Sequence, residues 1–135
     1  MESKIPAFKS PGDVASIQRN WPIPNPTITS YNDVGTSYHA NMKWWDTPGL
    51  PSGFSQRYEA GLVRINQAFA GANPNYVYMH DQTADRVANG SPSTMIIGEF
   101  GKVNASMMGF ADGRVDYPAV VPGALSGPGY TFLLP

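Results

Sequence analysis

The sequence predicts an α+β domain: a small antiparallel sheet with a C-terminal hairpin, one amphipathic helix and long irregular loops. Three observations lead there. Apolar runs flank the pair Asp112-Gly113 within residues 106–117, the strongest short-range hairpin signal, because both central residues of a type I′ turn need positive φ. Phe54, Tyr58, Leu62, Ile65 and Phe69 recur at helical spacing, which at about 100° per residue confines them to an arc of about 80°. Finally, 14 Gly and 13 Pro among 135 residues leave little chain for other long elements.

Residues 1–36 are rich in Pro, Gly, Asn and Ser and read as an irregular segment, with a short helical turn possible over Asp13–Arg19. Ser37 to Trp45 alternates imperfectly and carries aromatics, which predicts a strand ended by Asp46-Thr47-Pro48-Gly49. The helix follows over 54–69, capped by Ser52 or Ser55 at its start and by Gly71 beyond its end. Tyr76–Met79 is a short strand and Asp81–Val87 a single helical turn. Thr94–Phe100 reads as a buried strand between Pro92 and Gly101. In the hairpin, a two-residue loop pairs Phe110 with Val115, Gly109 with Asp116 and Met108 with Tyr117. Met108, Phe110, Val115 and Tyr117 then form one apolar surface, which the helix stripe is expected to cover. Residues 118–135 are an irregular tail whose Tyr130–Leu134 can dock back or form an edge strand.

One domain spanning 1–135 suits this length. Nine Lys plus Arg against ten Asp plus Glu give a net charge of −1 with no basic stripe, which disfavours a nucleic-acid partner. With no Cys, disulfides and thiolate metal sites are excluded. No stretch approaches the roughly 20 apolar residues of a bilayer span, and Met1–Pro6 lacks a signal-peptide pattern.

Chemistry-bearing residues are sparse. His80, Asp81 and Asp85 lie close in sequence, while Glu99, Asp112 and Asp116 sit on or beside the expected sheet. Oxygen-rich groups can hold Ca²⁺, but no run supplies ligands at the close regular spacing of a dedicated loop, so no cofactor is expected. No Gly-x-Ser-x-Gly elbow or phosphate-cradling Gly-rich loop is present, and no catalytic residue is assigned. Trp21, Trp44 and Trp45 are the candidate ligand-contacting aromatics, suited to stacking on a carbohydrate. Trp44 and Trp45, adjacent on a strand, point to opposite faces, so at most one enters the core and the other is exposed or covered by the Pro-rich segment.

The motifs, taken in order, resemble a known family. Phe8-Lys9-Ser10-Pro11-Gly12-Asp13, Ser37-Tyr38-His39-Ala40-Asn41, Pro92-Ser93-Thr94 with Glu99, and Phe110-Ala111-Asp112-Gly113-Arg114-Val115 look like the soluble part of prepilin-like proteins. These are the type II secretion pseudopilin relatives whose C-terminal signature is a His, nine residues and Asp-Gly. Lys102 stands where that signature has His, Ser10 where a Cys is often found, and Arg114 where His often follows Asp-Gly. Roles resting on those side chains are not carried over.

The resemblance implies a non-enzymatic structural or interaction domain of a pilus-like or type II secretion assembly. Its partners would be other pilin-like subunits or secretion-assembly components. It would lie on the periplasmic or extracellular side, reaching the membrane only through a missing upstream helix that Met1 replaces. The rival reading is a carbohydrate-binding or cell-surface adhesion module using exposed Trp and Tyr.

Overall fold

A computed structural model of the chain describes residues 6–18, 21 and 23–135. Its centre is an antiparallel sheet in the order β1 (Tyr38–Ala40), β2 (Val77–Asp81), β3 (Met108–Phe110), β4 (Val115–Asp116). A second small hairpin joins β5 (Ser126–Gly127) to β6 (Tyr130–Thr131). Among the described residues, three α-helices accompany them: α1 (Ser30–Val34), α2 (Phe54–Gln67) and α3 (Gln82–Ala88). The α+β class expected from the sequence is therefore present. Among the described residues, no helix is long and apolar enough to cross a membrane.

The core has two centres. Val77, Met108 and Phe110 of the sheet pack with Ala84, Val87 and Ala88 of α3 and with Val120, Tyr130 and Phe132. Trp44, Ala68, Tyr76 and Leu134 form the second cluster. The C-terminal segment thus enters both, because Tyr130, Phe132 and Leu134 alternate along an extended stretch and reach the core together. The described part of the N-terminal segment also holds more regular structure than its composition suggests. Within it, α1 is capped by Thr29, whose side chain accepts from Asn32 N–H, and ends at left-handed Gly35. No helix forms over the described part of 13–19, and Arg19 lies outside the described residues.

The hairpin is where expected, but its register differs by one residue. Met108 pairs with Asp116 and Gly109 with Val115. Gly113 N–H donates to the Phe110 carbonyl at 2.9 Å and Phe110 N–H to the Arg114 carbonyl at 2.9 Å, enclosing a three-residue loop. Gly113 has φ +86°, whereas Asp112 keeps negative φ, so the loop is a type I turn followed by one left-handed glycine. A one-residue slip moves each side chain of a strand to the other face. Met108 and Phe110 are buried, Arg114 lies over the Phe110 ring at 3.9 Å, and Val115 is 67% exposed. The expected four-residue apolar surface is therefore divided, and Tyr117 packs instead on Phe100 at 5.6 Å between ring centroids.

The helix is also correctly placed and differently oriented. Trp44 lies so close to α2 that a Cβ at position 61 would come within 2.1 Å of its ring. Only glycine permits this approach, and it sets the helix's rotation about its axis. Gly61 and Ala68 face inward, while Phe54, Tyr58, Leu62 and Phe69 of the apolar stripe remain exposed, Phe54 at 75%. The stripe does not cover the hairpin. Ser52 and Ser55 do not cap α2 either: Gly53 is its N-cap without a side-chain hydrogen bond, whereas Gly71, at φ 100°, reverses the chain as expected.

Two other expectations are corrected. Strand β1 stops at Ala40, and Trp44 and Trp45 sit on a 3₁₀ turn (Lys43–Asp46), where adjacent side chains need not oppose. Trp44 is buried, and Trp45 stacks on Phe54 and Arg57 of α2 rather than under the Pro-rich segment. Residues 94–100 are a loop with Met95 and Ile97 largely exposed, because Asn104, at φ 53°, folds it locally. Asn104 Oδ1 accepts from Ile96 N–H at 2.8 Å and its Nδ2 donates to the Thr94 carbonyl at 2.9 Å, in place of a sheet partner. The strand near Tyr76–Met79 is present as β2, and the turn at 81–87 is the two-turn α3, N-capped by Asp81.

Two substitutions test these constraints. Gly61→Ala, worth up to about 1 kcal/mol of stabilisation from helix propensity alone, is expected to destabilise by ~1–3 kcal/mol, because the methyl group must displace Trp44. A chemical-denaturation midpoint that rises would disprove the notch. Gly113→Val meets open space, so its expected cost of about 1–2 kcal/mol is backbone strain alone, read from thermal unfolding.

Candidate functional site

Several residues that carry the prepilin-like resemblance meet in a buried polar lock. The Asp13 carboxylate accepts the N–H groups of Ser30 (2.9 Å) and Tyr31 (2.8 Å) and the hydroxyl of Ser37 (2.6 Å). Ser37 Oγ accepts from Ser10 N–H at 2.9 Å, and Ser10 Oγ donates to Glu99 Oε2 at 2.9 Å. Pro11 stands in the turn closed by Asp13 N–H on the Ser10 carbonyl. This lock fastens the N-terminal segment to α1, to the start of β1 and to the 94–100 loop. Burial, with the nearby Asp81 and Asp13 carboxylates, raises the Glu99 pKa from 4.5 to about 7, against the Ser10 hydrogen bond.

The other motif residues serve elsewhere. Asn41 is buried beyond β1, where its Nδ2 donates to the carbonyls of Val77 (2.7 Å) and Phe132 (2.9 Å). Phe110 is core, and Asp112 and Gly113 make the hairpin turn, with Asp112 Oδ1 accepting from Arg114 N–H at 2.9 Å. Pro92 and Ser93 lie in the exposed turn after α3, and Ser93 Oγ meets Ser91 Oγ at 3.0 Å. Tyr38 lines a shallow apolar groove with Tyr78, Met79, Met108 and Val115. Of the aromatics, Trp44 is buried and unavailable to a ligand, Trp45 is half-buried, and Trp21 is exposed.

Of the acidic residues on or beside the expected sheet, Glu99 is in the lock and Asp112 in the turn. His80 instead joins Asp85, its neighbour in sequence, and two residues that were not grouped with it from the sequence, His39 and Lys43. Strand pairing sets His39 of β1 opposite His80 of β2, with their rings edge-to-face at 6.0 Å. Asp85, on α3, places Oδ2 at 2.6 Å from His39 Nδ1 and 3.8 Å from His80 Nδ1, while its Oδ1 pairs with Lys43 Nζ. His80 is 1% exposed; its Nδ1 lies 2.8 Å from the Asp81 carbonyl, and its Nε2 is buried without a partner.

Burial alone would push the Asp85 carboxyl up, but His39, His80 and Lys43 outweigh it and hold it well below the usual range. Burial lowers the His80 pKa to about 4, with Lys43 and His39 adding to it and Asp85 opposing, so His80 is neutral at neutral pH. A depression lined by Ile17, Gln18, Trp21, His39 and Asp85 opens the cluster to solvent. His80 and Asp85 were visible as neighbours in sequence. His39 and Lys43 were not, because only the β1–β2 pairing and the 3₁₀ turn bring them in.

No protein-family model matches the chain, and no curated protein or solved structure is significantly similar to it.

The raised Glu99 pKa gives a signed pH dependence. Between about 4.5 and about 7 the folded state retains a proton that the unfolded state has lost, so stability falls as pH rises through that window and levels off above it. Glu99→Gln is expected to flatten this contribution, measured as urea midpoints across the window. An unchanged slope would place the carboxyl in water.

Proposed function

We propose that this chain is a non-enzymatic structural and interaction domain of a pilus-like or type II secretion assembly, held on the outer side of a membrane by an apolar helix encoded upstream. The observation that carries this reading is the exposed ridge of α2. Phe54, Tyr58 and Leu62 stand on one flank of the helix, and Phe69, in the helical turn that follows it (Ala68–Ala72), continues onto Tyr78 of β2 at 5.4 Å between ring centroids. Large apolar side chains contiguous on a surface mark a contact site more often than chance exposure.

The polar lock and Asn41 support the same reading. Asp13, Ser37, Asn41 and Glu99, all within the resembling motifs, act as buttresses of the body rather than as groups lining a reaction centre. The carbohydrate-binding alternative is weakened by the burial of Trp44 and the packing of Trp45 on α2. Stacking on a sugar needs open ring faces.

A photo-crosslinking amino acid at position 62, in the protein expressed with its upstream sequence in its own cells, tests the ridge. Crosslinks to pilin-like subunits, lost in Tyr58→Glu with unchanged thermal stability, are the expected result. Absence of such crosslinks, or quenching of tryptophan fluorescence by a polysaccharide, overturns the proposal.

A further inference from the structure

We propose that His39, His80 and Asp85 bind one divalent transition-metal ion of the zinc class, which clamps β1, β2 and α3 together. Each of the three offers one ligand atom, and these atoms lie within 4.8 Å of one another. Four-coordinate Zn²⁺ with bonds of about 2.0–2.1 Å separates its ligand atoms by about 3.4 Å. Asp85 Oδ2 stands 2.6 Å from His39 Nδ1 and 3.8 Å from Nδ1 of the His80 ring, whose free nitrogen is Nε2. Binding therefore turns the His39 and His80 side chains until His39 Nδ1, His80 Nε2 and Asp85 Oδ2 take that spacing, while His80 Nδ1–H stays on the Asp81 carbonyl.

The donor set selects the metal. Two imidazoles and one carboxylate suit Zn²⁺, Co²⁺ or Ni²⁺, whereas Ca²⁺ requires six to eight oxygens. A second observation, independent of the clustering, also points to a ligand. His80 is almost wholly buried, and the Asp81 carbonyl occupies one of its nitrogens, leaving a lone pair on Nε2 that no group of the protein uses. The large majority of buried polar atoms in folded proteins have a partner.

Lys43 does not block the site. It pairs with Oδ1 of Asp85, while both imidazoles face Oδ2. The ammonium and the ion nevertheless repel, so Lys43 weakens binding without preventing it. The Gln18 side-chain amide lies 2.7 Å from His39 Nε2 and serves as the outer partner that orients a metal-bound imidazole. On binding, the Nδ1 proton of His39 is released to solvent, Nε2 takes up a proton from solvent, and the amide turns its oxygen toward the new N–H. The depression beside Ile17, Gln18 and Trp21 is the entry path and leaves the fourth position for water.

The test uses the full chain without a polyhistidine tag, titrated with CoCl₂ and then back-titrated with ZnCl₂. One equivalent of Co²⁺ giving the visible bands of a four-coordinate ion, displaced by Zn²⁺, is the expected result. His39→Gln, at the solvent edge of the cluster, should weaken Zn²⁺ binding at least about tenfold, and Lys43→Met should tighten it. Asp85→Asn should abolish binding; if it fails to fold, His39→Gln decides alone. Absence of saturable binding by the wild-type chain, or an affinity unchanged in His39→Gln, overturns the site and leaves an ion-pair cluster.

Discussion

Buried side-chain hydrogen bonds to the backbone hold this fold together. Strands of two to five residues satisfy few of their own polar groups, and a buried N–H or C=O left alone costs about 1–3 kcal/mol. Short polar side chains take over. Asp13 receives the first N–H groups of α1, and Asn41 joins the end of β1 to β2 and to the C-terminal segment. Asp81 caps α3 through Thr83 N–H and also binds the Ser106 hydroxyl and Met107 N–H, tying β2, α3 and the approach to β3 at one carboxylate. Asn104 does the same for the 94–100 loop. Each group has its partners, so burial is tolerated, and Asp13, Asn41 and Asp81 link segments distant in sequence.

Such links explain what sequence reasoning reaches and what it does not. The hairpin at Asp112-Gly113 and the helix through Phe54–Phe69 are local patterns, and both elements are present. Their surroundings are not local. Asp112 keeps ordinary backbone angles and only Gly113 turns left-handed, which lengthens the loop by one residue and moves Val115 to the other face. The stripe of α2 is regular enough to suggest a core face, yet one glycine receiving Trp44 turns it aside. Met95, Ile96 and Ile97 read as a strand because composition does not reveal that Asn104 will supply the backbone partners of Thr94 and Ile96.

The functional clusters show the same division. Asp13, Ser37 and Glu99 were singled out by resemblance; Ser37 bonds Asp13 directly, and Ser10 bridges Ser37 to Glu99. His39 and His80 become neighbours through antiparallel pairing across 41 positions, a relation periodicity does not encode. A signal was available in retrospect. The chain has two histidines, and each lies on an expected strand or at its end, so asking whether those strands pair would have brought them together.

The ridge on α2 raises a question of magnitude. Four large side chains, each already partly buried, would regain about 1 kcal/mol apiece on full burial, or ~4 kcal/mol in all. Bringing two free molecules together costs about 4–15 kcal/mol in lost motion. The ridge alone therefore leaves isolated copies separate at ordinary concentrations, and large exposed side chains remain compatible with an unassociated domain. Tethering changes this balance, because subunits anchored side by side replace a bimolecular encounter with one at millimolar effective concentration. A weak apolar contact then suffices for register between neighbours, while a tight one would drive association before delivery to the assembly. In the proposed assembly, Gly61 accordingly has two consequences from one missing methyl group: it seats Trp44 in the core, and it turns toward solvent the flank through which neighbouring subunits meet.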